Sequence, residues 1–438
     1  MNGLYPLSDD KIGQFGARMY ETMRELYPIC RSITGNGVRE TLRILQREIP
    51  LTVEEVPSGT RVFDWTIPRE WNFKEAYVKN SAGDKIIDAA NTNLHLLNYS
   101  IPIRKKVSLE ELKQHLFSLP DHPDWIPYRT SYYNDNWGFC ISHKQFQELI
   151  EDAYEVFIDT SLAQGHLTYG EFFLKGESAQ EVLISTHICH PSLCNDNLSG
   201  VILAAFLAKH LSILSLRFSY RFLFIPGTIG SITWLSLNEK TVPRIKHGLV
   251  AACVGDNGRF TYKKSRQQHA EIDRIVPHVL KFSGKAYDII DFFPYGYDER
   301  QYCSPGFDLP VGCLMRTPHG QYPEYHTSAD NLSLVQPEFL AASFEMYLHI
   351  VSVIENNKRY VNNNPKCEPQ LGKRGLYKLI GGHEDSAAFQ LAMLWVLNLS
   401  DGKHSLLDIA ERANMGFRLI KDAAEALEKS SLLQELAG

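Results

Sequence analysis

Leu183-Ile-Ser-Thr-His187-Ile-Cys-His190-Pro-Ser-Leu-Cys194-Asn-Asp196-Asn-Leu-Ser-Gly200 decides the reading of this chain. The apolar run ending at His187 predicts a strand, and the loop after it carries Asp196 just before small residues that open a helix. An imidazole nitrogen and a carboxylate at one strand edge form a usual setting for zinc. They are half of a metal site. The other half is expected at Glu324-Tyr-His326-Thr-Ser-Ala-Asp330-Asn331, where another imidazole precedes a predicted helix.

Outward from this stretch, strands and helices alternate. Strands are predicted at 154–158, 170–174, 181–186, 220–225 and 249–255, with helices at 200–214 and 230–237. Strands apolar on both faces and alternating with helices indicate an α/β fold: a mixed, mostly parallel sheet flanked by helices. In such sheets chemistry gathers at the carboxyl ends of strands, which is where His187, Pro226 and Asp256 fall. Residues 13–49 read as two helices broken at Gly35-Asn36-Gly37. Residues 63–147 are rich in Trp, Tyr and Pro with short alternating runs, which suggests an inserted β-rich module. After the polar break at 361–366, three short helices ending near 431–435 match a winged helix. The expected division is 1–60 with 150–362 for a discontinuous α/β domain, 61–149 for the insert and 370–438 for the winged helix.

Composition sets the frame. The 438 residues are 44% hydrophobic and 22% charged, with a net charge of −6. Such a chain can bury two or three cores, and it carries no global basic footprint for nucleic acid. The first residues lack the charged and apolar regions of a signal peptide, and the most apolar helix is too short for a bilayer. A soluble, cytoplasmic protein without membrane partners is therefore expected. The eight cysteines have no disulfide rhythm and fit a reducing compartment. Cys189, His190 and Cys194 offer a rival set of soft zinc ligands, but no second Cys or His pair completes a tetrahedral structural site.

A hydrolytic zinc centre needs neutral nitrogens, carboxylates, an open position and a base. His187, Asp196, Asp256 and His326 could supply two imidazoles, one bridging carboxylate and one further carboxylate for one or two zinc ions. Asn195-Asp-Asn-Leu-Ser-Gly200, Gly230-Ser231, Asp256 after Val-Gly, and Tyr325-His-Thr-Ser-Ala-Asp330 resemble the co-catalytic zinc aminopeptidases. Pro226-Gly-Thr-Ile-Gly-Ser231, Asp298-Glu-Arg-Gln-Tyr302 and Met315-Arg-Thr-Pro318 resemble a narrower bacterial group. Its members carry an inserted β domain and a C-terminal winged helix, often beside polysaccharide-biosynthesis genes. The resemblance implies metal ligands at His187, Asp196, Asp256 and His326, with Asp196 bridging.

The chain departs from that pattern at the general base, where the family carries glutamate and this sequence has Gly227-Thr228. Losing a placed base costs about a hundredfold to ten-thousandfold in rate. Glu324, Glu299 and Asp298 are the candidate substitutes. Arg300, Gln301, Tyr302 and Arg316 are candidates for gripping a substrate carboxylate or amide. The aromatic insert could be a lid or an oligomerisation surface, while Trp65, Trp71, Trp125 and Trp137 read first as core. The helix expected at 417–429 mixes Arg418 and Lys421 with Asp422, Glu425 and Glu428, which favours protein contact, including a homo-oligomer, over DNA. The expected function is zinc-dependent hydrolysis of a small peptide or acyl amide. The alternative is a catalytically inactive binding or regulatory protein on the same fold.

Overall fold

The strand Glu181–His187 is buried at every residue, as a strand covered on both faces by helices must be. It pairs in parallel with Ser219–Ile225 on one side and Ile245–Ala251 on the other, and Val311–Met315 extends the parallel core. In this computed structural model, which describes residues 7–376 and 386–436, the sheet has eight strands. From one edge the order is Thr52–Pro57, His166–Leu174, Ser219–Ile225, Glu181–His187, Ile245–Ala251, Val311–Met315, Phe260–Lys263 and Tyr287–Ile290. The two strands at the Thr52–Pro57 side are antiparallel to their neighbours, as is Phe260–Lys263 against Val311–Met315. The mixed, mostly parallel sheet flanked by helices is the expected fold class.

The helix Ser199–Leu211 is apolar all round and buried at all but one of its residues, the signature of a helix enclosed by the fold. Against it lies Asp9–Leu26, whose Phe15 ring meets Phe206 at 6.4 Å and Phe344 at 4.5 Å. Gly16 allows a close approach to the start of the helix Pro337–Asn356: a Cβ there would lie 2.3 Å from the Pro337 carbonyl oxygen. The second helix, Asn36–Leu45, starts inside the Gly35-Asn36-Gly37 break, and Gly35 takes φ 96°, a left-handed conformation suited to glycine.

The β-rich insert is a four-stranded antiparallel sheet ordered Lys85–Asp88, Glu70–Lys79, Ala153–Ala163 and Ile103–Ser108. This corrects the placement of residues 154–158, which pair inside the insert rather than in the large sheet. The inserted sheet therefore runs past 149, and a turn at residues 164–165 returns the chain to the large sheet at His166. Trp71 centres the insert, 2% exposed, donating Nε1–H to the Ser100 carbonyl at 2.9 Å. Glu70 ties the parts together. It accepts a two-pronged pair from Arg39 at 2.8 Å on each oxygen, and the His166 amide at 2.9 Å.

By contact density the described chain divides into two units, the second formed by 273–287 and the residues from 346 onward. That unit begins earlier than the expected position 370. It holds a three-stranded sheet, Asp401–Ser405, Arg359–Asn362 and Leu433–Glu435, with helices Ser386–Leu399, Leu406–Ala413 and Phe417–Lys429. Ser405 and Asp408 close a capping box at the start of the middle helix. On Phe417–Lys429 the cation Lys421 reaches Glu425 at 2.6 Å. Positions 377–385 and 437–438 of the winged-helix segment lie outside the described residues.

Candidate metal centre and its cavity

Asp196 is fully buried and takes one imidazole on each oxygen: His187 Nε2 at 2.8 Å from Oδ1 and His326 Nε2 at 2.9 Å from Oδ2. The two histidines are about 140 residues apart in the sequence, His187 at the end of its strand and His326 in the loop before the helix Pro337–Asn356. A carboxylate shared between two imidazoles is the arrangement expected of a bridging ligand. Burial acts to raise the Asp196 pKa, but His190, His187 and His326 together hold it well below the usual carboxylate range. It is ionised at neutral pH.

His190 joins them. The ligand atoms of His187, His190 and Asp196 lie within 4.8 Å of one another. His190 Nε2 stands 4.0 Å from Asp196 Oδ2, too far for a hydrogen bond. Two ligands each about 2.1 Å from one zinc ion stand up to about 4.2 Å apart, so both could bind a common ion. Burial pushes the His190 pKa down to about 3, which leaves the ring neutral and able to donate a lone pair. The donor set, three imidazoles and one ionised carboxylate, fits a divalent transition metal.

The loop is held from behind. Asp330 accepts backbone N–H groups from Cys194, Asn195 and Asp196 at 3.1, 2.6 and 2.9 Å. Its pKa is raised to about 7, chiefly by burial, against those donors. Tyr297 stacks on His187 at 4.6 Å and gives its hydroxyl hydrogen to Asp196 Oδ1 at 3.1 Å. His326 adopts φ 56°, and its carbonyl accepts the Tyr128 amide at 2.7 Å. Tyr128 belongs to the insert, and its ring meets His190 and His326 edge-on at 5.2 and 5.1 Å.

A cavity of about 250 Å³ opens beside His187 and His190. Trp65, Tyr132 and Tyr133 of the insert line it together with Gly227, Thr228, Asp298 and Arg300. Trp65 is 46% exposed and packs on Tyr133 at 5.5 Å, so this tryptophan departs from the core role expected of it. The insert thus supplies part of the cavity wall.

Asp298 stands opposite Gly227. A Cβ added to Gly227 would lie 3.4 Å from Asp298 Oδ2 and 3.0 Å from His187 Cβ. Ser231 donates to Asp298 Oδ1 at 2.7 Å, whereas Oδ2 is buried with no hydrogen-bond partner. Burial raises the Asp298 pKa to about 6.

The other anticipated residues fall as follows. Asp256 does not join the cluster: Oδ2 accepts from Asn195 at 2.7 Å, and Oδ1 accepts from Gly258 and Thr317 at 2.6 and 3.0 Å. Its oxygens are spent on holding the Asn195 loop. Glu299 is buried, its Oε1 paired with the equally buried Lys263 at 2.9 Å, and it does not line the cavity. Glu324 is absent from the cavity wall, and its carbonyl caps the turn to Thr327. Of the four substrate-binding candidates only Arg300 lines the cavity. Tyr302 is fully buried with its hydroxyl on Ser185 at 2.9 Å. Gln301 lies outside the lining residues. Arg316 is occupied by Ser343 and the Gly258 carbonyl, over the Phe260 ring.

Residues 20–357 match the family model described as a domain of unknown function (DUF4910). The chain belongs to the DUF4910 family. The rest of this DUF4910 chain, residues 358–435, matches a winged helix-turn-helix model. A Clostridium acetobutylicum protein, provisionally named for polysaccharide biosynthesis with an aminopeptidase-like domain, is 56% identical over 96% of both chains. A crystal structure from the same organism, provisionally titled a peptidase, superposes with TM-score 0.94 at 54% identity over 98% of each chain. A zinc aminopeptidase from Bacillus subtilis has TM-score 0.56 at 12% identity, covering 77% of this chain and 95% of its own. At that identity the likeness speaks for the fold, which is that of the aminopeptidases.

Proposed function

We propose that the chain is a metal-dependent hydrolase of a small peptide or acyl amide, with Asp298 as its proton acceptor. The observation that carries this reading is the unpartnered Oδ2 of Asp298, 3.4 Å from where a Gly227 side chain would begin. His187, His190, Asp196 and His326 would hold the metal. A divalent ion in that place supplies a Lewis acid for a carbonyl oxygen and acidifies water. The chain's own groups do the rest. Ser231 fixes one oxygen of Asp298, leaving the other to take a proton from attacking water and return it to the leaving amine. A carboxyl group whose proton affinity lies near neutrality suits both transfers. Tyr132, Tyr133 and Trp65 wall the cavity and restrict water.

The aminopeptidase fold and the printed name of the 56% identical relative support amide chemistry, and that name favours an acylated sugar or another precursor in polysaccharide assembly. The test is turnover of a panel of aminoacyl and N-acyl amides, sugar amides included, by zinc-supplemented protein. Wild type is expected to release amine, and Asp298→Asn to lose about a hundredfold to ten-thousandfold in kcat with its zinc retained. An Asp298→Asn protein as fast as wild type would remove Asp298 from the reaction.

A further inference from the structure

We infer that the cavity selects substrates bearing a carboxylate, received by the Arg300 guanidinium. Arg300 lines the same cavity as His187, His190 and Asp298. Its Nε is buried without a hydrogen-bond partner. Among the described residues no carboxylate lies within ion-pair distance of its guanidinium, and the contact shown for it is the Tyr295 ring, 5.8 Å away. Arg316 shows the contrast: its guanidinium is spent on Ser343 and the Gly258 carbonyl.

A buried donor left unpaired costs about 1–3 kcal/mol, and a planar guanidinium recovers that cost best from a carboxylate held on two parallel N–H groups. Asp298 makes no hydrogen bond to it, since one Asp298 oxygen is bound to Ser231 and the other has no partner. The cavity wall thus carries a guanidinium with hydrogen-bonding capacity left for an incoming ligand. Its volume of about 250 Å³ lies below the ~300 Å³ lower end for drug-sized ligands, so the ligand is short. The inference rests on the proposed amide chemistry only for the amide: the class is a small N-acyl amino acid or comparable acyl amide with a free carboxylate.

The experiment is calorimetric titration of the zinc-supplemented full chain with N-acetylglycine and with its neutral counterpart N-acetylglycinamide. Wild type is expected to bind the carboxylate at least about tenfold more tightly, the scale of a charge-assisted hydrogen bond. Arg300→Gln should bring the two affinities within about twofold by loss of that bond, and Arg300→Lys should restore part of the preference. A wild type that binds neither probe, or without preference, overturns the inference. So does an Arg300→Gln protein that keeps the preference, which would place the carboxylate on the metal. Binding needs no turnover, so failure of hydrolysis would count against the proposed function and leave this result standing or falling alone.

Discussion

At the residue scale, Gly227 and Asp298 belong to one feature. A Gly227→Glu substitution would press its Cβ to 3.0 Å from His187 and bring a second carboxylate against Asp298. It is expected to lower turnover in the wild-type background, and to recover part of the activity lost in Asp298→Asn; kinetics of the two single variants and the double variant decide this. His190→Ala should weaken zinc binding by more than the roughly 10–100-fold cost of losing an outer partner, measured by competition with a chromogenic chelator. Zinc affinity within twofold of wild type would make His190 a bystander. His187, Asp196 and His326 were legible as candidate ligands because each follows a strand or precedes a helix within a recognisable phrase. His190 was visible only as part of a Cys and His cluster, and its neighbours Cys189 and Cys194 drew attention to sulfur chemistry. Asp256 reads as a ligand by its place at a strand end, yet its oxygens are taken by Asn195, Gly258 and Thr317. Asp298 could be suspected from the polar loop, but its approach to Gly227 depends on tertiary packing across about seventy residues of chain.

At the element scale, two contacts control how the pieces meet. Gly16→Ala is expected to destabilise by about 1–3 kcal/mol, the range for overpacking, despite alanine's better helix propensity. The added carbon would meet a backbone carbonyl at 2.3 Å rather than a movable side chain, and chemical denaturation measures the cost. Glu70, clamped by Arg39, has its pKa lowered to about 2, first by the Arg39 hydrogen bonds. Its contribution is therefore present above the ordinary carboxylate pKa and disappears as pH falls through about 2. Because the pair is partly exposed, Glu70→Gln should cost no more than about 1 kcal/mol at pH 7, with the difference vanishing at low pH. The strand Ala153–Ala163 shows the limit of local pattern. Its alternation is that of a half-buried strand, but which sheet receives it is set by pairing with Glu70–Lys79, more than seventy residues earlier.

At the scale of the whole molecule, the α/β fold, the insert and the winged helix were all readable, since each has its own periodicity. The borders were not, because they are fixed by long-range pairing. In the second unit, burial lowers the pKa of His278 and of His349 to about 4. A depressed histidine favours the folded state above the unfolded value near 6.5, and that contribution declines as pH falls from about 6.5 to about 4. The melting temperature of this unit should fall over that window, and His278→Gln should flatten the slope; an unchanged slope would assign the acid sensitivity elsewhere. Among the described residues no helix is long and apolar enough to cross a membrane.

The buried Asp196 carboxylate and its surrounding imidazoles are proposed to hold a metal. Elemental analysis of zinc-loaded, dialysed protein tests it, comparing wild type with Asp196→Asn. Wild type is expected to retain one or two ions per chain and the variant to lose them; a wild type without metal, or a variant that keeps it all, would show that this cluster is not a metal site.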